Sequence, residues 1–215
     1  MRLLVLNPNT TQAMTDAVSA QIRALAGPAV CVEGLTAAAG CAVIDSAQSF
    51  AIGAAAALDS LQHYLRISAE KADGILLACF GDPGLHGLRA ISPVPVRALA
   101  EAAIEAALAS PGKFAILTCG PQWVPLLDAC VEACGATARY AGCLALPVNG
   151  AALLREPAAY APALLALSRA AADAGAAQLI MGGAAFAGLQ IEIDPRLRRI
   201  DPVAAATQAL LAPRA

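Results

Sequence analysis

The feature that most constrains this chain is the alternation of short apolar runs with longer, alanine-rich stretches of helical pattern. The runs that read as strands are Arg2–Leu6, Ala29–Gly34, Gly74–Ala78, Pro95–Val96, Phe114–Thr118, Tyr140–Leu146 and Gln178–Met181. Between and after them lie helical patterns over Thr11–Ala26, Ser46–Ala69, Pro83–Ile91, Leu99–Ala109, Pro121–Cys134, Pro157–Ala174 and Pro202–Ala212. Some boundaries carry their own chemistry. Asp201 is an N-cap ahead of proline at the first helical position, and Gly27, Gly135 and Gly175 read as C-terminal stops. Neighbouring parallel strands need a crossover, and a helix supplies it, so the pattern predicts an α/β fold with mostly parallel strands.

The two halves of the chain resemble each other. "RLLVLNPNT" and "KFAILTCGP" each run from a basic residue through an apolar strand into a polar turn before a helix. "DGILLACFGDPGL" and "AQLIMGGAAFAGL" each pass from an apolar strand through a small-residue turn to Gly-Leu. This predicts two similar Rossmann-like lobes with parallel sheets, related by a pseudo-two-fold. Residues 1–97 with 201–215 form the first, and residues 98–200 the second. Ligands in such sheets bind beyond the carboxyl ends of the strands. Four turns would then surround an active-site cleft between the lobes.

Composition narrows the partners. A formal charge of -2, with only Lys71 and Lys113 as lysines and the arginines scattered, gives no electrostatic reason to expect nucleic acid or an anionic membrane. The apolar run after Met1 is too short for a signal-peptide core. The longest charge-free stretch, between Asp173 and Glu192, is broken by glycines and glutamines and reads as strand, turn and helix. A soluble cytoplasmic protein is expected. An odd count of seven cysteines without a secretion signal argues against a disulfide framework. Cys130 and Cys134 sit one helical turn apart. No CxxC pair accompanies them and His63 and His86 are the only histidines, so no metal site is expected. The apolar helices suggest buried faces, either core or subunit contact, and a homo-oligomer is expected.

Four turns carry the candidate chemistry. Cys79 ends a buried strand just before Gly81-Asp82-Pro83-Gly84. One reading is a small apolar packing residue, since free cysteine is among the most buried types. The other is a reactive thiol. Pro83 biases Asp82 toward an extended conformation and lets it cap a helix that Pro83 begins. Near a helix N-terminus a cysteine pKa falls from about 8.5 to roughly 3.5–7.5, and the thiolate can take a proton from carbon next to a carbonyl. The first turn, Asn7-Pro8-Asn9-Thr10, offers amides and a hydroxyl, either as ordinary caps or as donors to a substrate carboxylate or ring carbonyl. Thr118-Cys119-Gly120 repeats that option with a second thiol. Gly182-Gly183-Ala184-Ala185 holds no side chain able to move a proton.

"LVLNPNT", "ACFGDPGL" with Cys79, and Glu101-Ala102-Ala103 resemble the aspartate/glutamate/hydantoin racemase superfamily, in particular its hydantoin and allantoin racemase branch. The likeness runs in motif order over nearly the whole chain. It implies a cofactor-independent isomerase in which one cysteine from each lobe flanks the substrate's stereogenic carbon, the two trading base and acid roles. Carried over, Cys79 matches the first catalytic cysteine. Asn7, Thr10, Phe80, Gly81 and Thr118 fall in turns that line the substrate pocket of that family. The fourth turn departs from the pattern. The branch reads Leu-Gly-Cys-Ala-Gly where this chain has Met181-Gly182-Gly183-Ala184-Ala185, so Gly183 replaces the second cysteine. Gly183 and Ala184 are then left as pocket wall.

The loss matters energetically. A positioned general acid or base contributes roughly 10²–10⁴ in rate, and racemisation needs a proton removed on one face and returned on the other. Cys119 is the nearest candidate replacement, with a buried strand-end cysteine as the alternative. His86 is a further candidate, or a helix-surface residue. Three functions follow from the resemblance. The first is a racemase or epimerase acting by proton abstraction on an amino-acid-derived carboxylate or hydantoin. The second is a one-thiol decarboxylase or isomerase of the arylmalonate decarboxylase type. The third is a non-catalytic binder of small carboxylates.

Overall fold

The computed structural model describes residues 1–186 and 188–212, and it divides the chain into two compact units. Unit 1 comprises Met1–Leu99 and Val203–Ala215, and unit 2 comprises Ala100–Pro202.

In unit 1 the strands β1 (Arg2–Asn7), β2 (Cys31–Thr36), β3 (Gly74–Leu77) and β4 (Val96–Ala98) form a parallel sheet in the order β2-β1-β3-β4. The crossovers are α1 (Gln12–Ala26), α2 (Ala47–Ile67) and α3 (Leu85–Ile91). The central strands β1 and β3 are covered on both faces, which is why they read as unbroken apolar runs: Leu3 to Leu6 are fully buried. Leu4, Leu6, Leu61, Ile75, Leu77 and Leu88 belong to one buried cluster joining this sheet to α2 and α3.

In unit 2, α4 (Leu99–Leu108) leads into β5 (Lys113–Cys119). The chain continues through α5 (Val124–Ala133), β6 (Tyr140–Leu146), α6 (Gly150–Arg155), α7 (Pro157–Asp173), β7 (Ala176–Gly182) and β8 (Arg198–Ile200), and α8 (Pro202–Leu211) then returns to unit 1. This sheet is also parallel, in the order β6-β5-β7-β8. Each unit therefore places its strands, in order of appearance, as second, first, third, fourth. The two pairs of similar segments in the sequence are the first and third strands of each sheet, β1 with β5 and β3 with β7.

Two elements lie outside the sequence expectation. The α6 helix is a single short turn region, begun by Asn149, whose Oδ1 accepts the Ala152 N–H at 2.9 Å. The β8 strand reads Arg-Arg-Ile and has no apolar run. It exists because its arginine is used: Arg198 Nη2 donates to the Ala106 carbonyl at 3.1 Å and to Gln178 Oε1. Gln178, buried in β7, donates to the Ala107 carbonyl at 3.0 Å, and Arg139 Nη2 donates to the Ser110 carbonyl at 2.6 Å. Together they supply donors to carbonyls at the end of α4 and in the turn after it.

A third element is shorter than expected. The helix after β3 starts at Leu85, with Gly84 as its cap, and not at Pro83. Asp82 is not extended but sits at φ +60°. No helix among the described residues is long and apolar enough to cross a membrane.

Candidate active site

Cys79 lies two residues beyond β3, where the Ala78 N–H still donates to the Leu6 carbonyl at 2.8 Å and holds the chain against β1. Its side chain is nearly buried, 8% exposed, and its Sγ lies 3.9 Å from the Phe80 carbonyl. The chain then reverses sharply. The Asp82 N–H donates to the Cys79 carbonyl at 3.2 Å and the Leu85 N–H to the Asp82 carbonyl at 3.2 Å. Gly84 is required here because α2 passes so close: a Cβ at this position would lie 3.0 Å from the Ala54 carbonyl oxygen. Asp82 has no such freedom, and a non-glycine residue at positive φ before a proline costs about 1–3 kcal/mol. Strain of that size at the turn holding the thiol marks this turn as fixed in shape. Phe80 is buried beside it, and Gly81 is buried within the turn.

The first turn is held by its own side chains. Asn7 ends β1 and is 1% exposed. Its Nδ2 donates to Asn9 Oδ1 at 3.0 Å, to Thr15 Oγ1 at 3.0 Å and to the Thr11 carbonyl at 3.2 Å, and its Oδ1 accepts the Asn9 N–H at 3.1 Å. Thr15 Oγ1 continues the chain of bonds to Thr36 Oγ1 on β2 at 2.6 Å. The Thr10 N–H is taken by the Cys41 carbonyl at 3.0 Å, which ties the turn to the segment after β2. The Thr10 side chain is half-buried. Asn7, expected to meet substrate, is thus committed to shaping the turn.

Thr118 and Cys119 close β5, the central strand of unit 2, and both are buried. Cys119 belongs to a buried cluster with Leu117, Leu146, Leu179 and Phe186. Burial pushes its thiol up to about 11, so at neutral pH it holds its proton. Register places Thr118 opposite Gly182. This is the last pair of the two strands, and Gly183 follows directly beyond it.

Gly183 itself is half-buried at φ +144°, and the Phe186 N–H donates to its carbonyl at 3.1 Å to close a short 3-10 turn. A Cβ at 183 would have only Phe186 Cδ2 near it, at 3.8 Å. Space for a side chain exists there; the backbone angle is what suits glycine. The Ala184 side chain lies outside the described residues. His86 is exposed on the first turn of α3.

The segments that follow β1, β2, β3, β5 and β6 share a charge pattern, whereas residues 183–197 after β7 include Glu192, Asp194 and Arg196. Residues 8–11, 37–46, 78–84, 120–123 and 147–149 contain no lysine or arginine, and their only charged residues are Asp45 and Asp82. Arg2 pairs with Glu33 and Glu70, and Arg196, in the segment after β7, pairs with Asp173 and Asp194. Among the described residues no three of His, Cys, Asp or Glu gather in a way that could hold a metal ion.

Two units, each with a parallel four-stranded sheet of the same strand order, define a duplicated α/β fold. The Asp/Glu/hydantoin racemase family model matches residues 3–210, and the chain belongs to that family. A hydantoin racemase of Paenarthrobacter aurescens is 30% identical over 96% of this chain and 88% of its own. Two solved structures are similar over 98% of this chain. They are an allantoin racemase of Pseudomonas fluorescens (TM-score 0.90, 27% identity, 89% of that chain) and one of Klebsiella pneumoniae (TM-score 0.85, 28% identity, 86% of that chain).

Proposed function

We propose that the protein abstracts the proton from carbon next to a carbonyl in a hydantoin-type ring or related amino-acid derivative, without a cofactor, with Cys79 as the catalytic thiol. The observation that carries this reading is the pairing of equivalent turns. The turn after β3 presents Cys79, while the turn after β7 presents Gly183. Relatives named hydantoin racemase and allantoin racemase support the substrate class. So does charge: the segments after β1, β3 and β5 (8–11, 78–84 and 120–123) hold no lysine or arginine to meet a dianionic malonate, and a neutral cyclic ureide needs only hydrogen-bond donors.

The chemistry follows from the thiols. Cys79 as thiolate removes the α-proton and leaves an enolate spread over the neighbouring carbonyl. The proton must return from the other side for inversion. Cys119, which ends β5 and is protonated at neutral pH, is a donor that unit 2 offers. With a pKa near 11 only about one molecule in 10⁴ carries that thiol ionised at pH 7, so the reverse direction through Cys119 as base is the slower one. The seven cysteines, which form no disulfide among the described residues, suit a reducing cytosol, and the half-exposed apolar edge strand β6 suits contact between copies.

The test is incubation in heavy water with single enantiomers of allantoin and 5-substituted hydantoins, with aspartate, glutamate and an arylmalonate alongside. Deuteration at the α-carbon is followed by NMR and configuration by chiral chromatography. Deuterium entry with inversion is the expected result for hydantoins. Carbon dioxide from the malonate would support the decarboxylase reading, and binding without exchange a non-catalytic pocket.

A further inference from the structure

We infer that Ala54 of α2 is a positioning residue for Cys79: contact with it holds the turn 79–84 in the shape that presents the thiol. The inference rests on the reading above that Cys79 is the catalytic thiol. Asp82 stands at φ +60° before a proline, and a turn of that kind persists only where its surroundings over-determine it. Two anchors do so. On the sheet side the Ala78 N–H donates to the Leu6 carbonyl at 2.8 Å. On the helix side Gly84 lies against Ala54. A Cβ at 84 would stand 3.0 Å from the Ala54 carbonyl oxygen, 3.1 Å from its Cα and 3.3 Å from its Cβ. Cys79 and Asp82 lie between these anchors.

The helix-side contact is backbone against backbone, so it cannot yield as the tip of a flexible side chain can. The Ala54 Cβ is among the atoms that Gly84 faces, and a branched side chain at 54 would meet the turn. The neighbouring position serves the other turn of unit 1. Gly53 is buried, and a Cβ there would clash with Ile44 Cδ1 and lie 3.8 Å from Pro8 Cβ. Positions 53 and 54 thus seat the first turn and the Cys79 turn on one stretch of one helix. That helix is a firm reference, because Ser46 and Ser49 cap its start reciprocally. Proton abstraction needs the thiol placed closely, and a shift of about 1 Å costs roughly 10²-fold in rate. Ala54 acts through that placement.

The test uses the full chain with Ala54→Val, Ala54→Ser and a control, Ala55→Val, which puts the same branched side chain at an exposed position of α2. Deuteration of one enantiomer of 5-benzylhydantoin in heavy water gives kcat and KM. Alkylation by iodoacetamide, read on the Cys79 peptide by mass spectrometry, reports the turn without turnover. Ala54→Val is expected to lower kcat about tenfold or more with KM within about threefold of wild type, and to speed Cys79 alkylation about fivefold or more. Ala55→Val should match wild type in both. A merely structural role would lower the thermal midpoint of Ala54→Val and leave both readouts of the folded protein unmoved. If Ala54→Val does not fold, Ala54→Ser is read instead, with changes of about threefold or more expected. A folded Ala54 variant with kcat and alkylation both within about twofold of wild type overturns the inference. A wild type without α-exchange removes the reading of Cys79 as catalytic, and the alkylation rates then decide Ala54 alone.

Discussion

Asp82 stands at φ +60° directly before Pro83, a conformation that both its own Cβ and the proline ring disfavour. The rule for residues before proline predicts an extended Asp82 and a helix from Pro83. Tertiary context overrides it: Gly84 is wedged against Ala54 of α2, and the helix starts only at Leu85. Asn tolerates the left-handed region and a β-branched residue does not. Asp82→Asn should therefore stay within about 0.5 kcal/mol of wild type in urea unfolding, while Asp82→Val should lose about 1–2 kcal/mol more. Equal midpoints for the two variants would show that the turn is not strained.

The sharp turn that follows Cys79 is legible in the apolar run ending against Gly-Asp-Pro-Gly. The internal commitment of Asn7 is not, because its partners Thr15 and Thr36 come from α1 and β2, and no local pattern announces them. Cys119 gives a titration at the same scale. Its folded pKa, about 11, lies above the ordinary 9.0. Below pH 9 both folded and unfolded thiols are protonated and the group has no effect. As pH rises through 9 toward 11 the unfolded thiol ionises first, so this contribution to stability is lost over that window. Cys119→Ser should flatten the fall in urea midpoint between pH 9 and 11, and an unchanged slope would contradict the burial argument.

Among the elements, the end of α4 and the turn into β5 carry the most cross-chain support, from Gln178, Arg198 and Arg139. Gln178→Leu removes a buried amide that serves two partners and leaves the Ala107 carbonyl with only the Ser110 N–H, at 3.3 Å. A loss of about 1–3 kcal/mol is expected in chemical denaturation, with faster hydrogen exchange at the start of β5. A neutral outcome would mean that water replaces the amide. This support also explains what could not be read in the chain. Central strands β1, β3, β5 and β7 were legible because burial on both faces makes them apolar throughout. β8 was not, because its arginines are placed by distant carbonyls rather than by hydropathy. α6 had its cap in plain view at Asn149, but with only six residues it gives too little periodicity to register.

For the molecule as a whole, two units share one strand order while their third-strand turns differ chemically, a thiol after β3 and a glycine after β7. Gly183→Cys tests what that asymmetry does. The site has room, with Phe186 Cδ2 the nearest neighbour at 3.8 Å, but φ +144° strains any side chain. The variant should melt a few degrees lower and still racemise about tenfold faster than wild type, since a positioned acid–base group is worth roughly 10²–10⁴ less the strain. No gain in racemisation with the fold intact would mean that Cys119 or another group already fills the role.

The most direct measurement is the rate of α-deuteration of one enantiomer of a 5-substituted hydantoin or allantoin in heavy water, for wild type and Cys79→Ser. The account predicts exchange by the wild type and a fall of at least about 10²-fold in the serine variant with an unchanged thermal midpoint. Undiminished exchange by Cys79→Ser would contradict it.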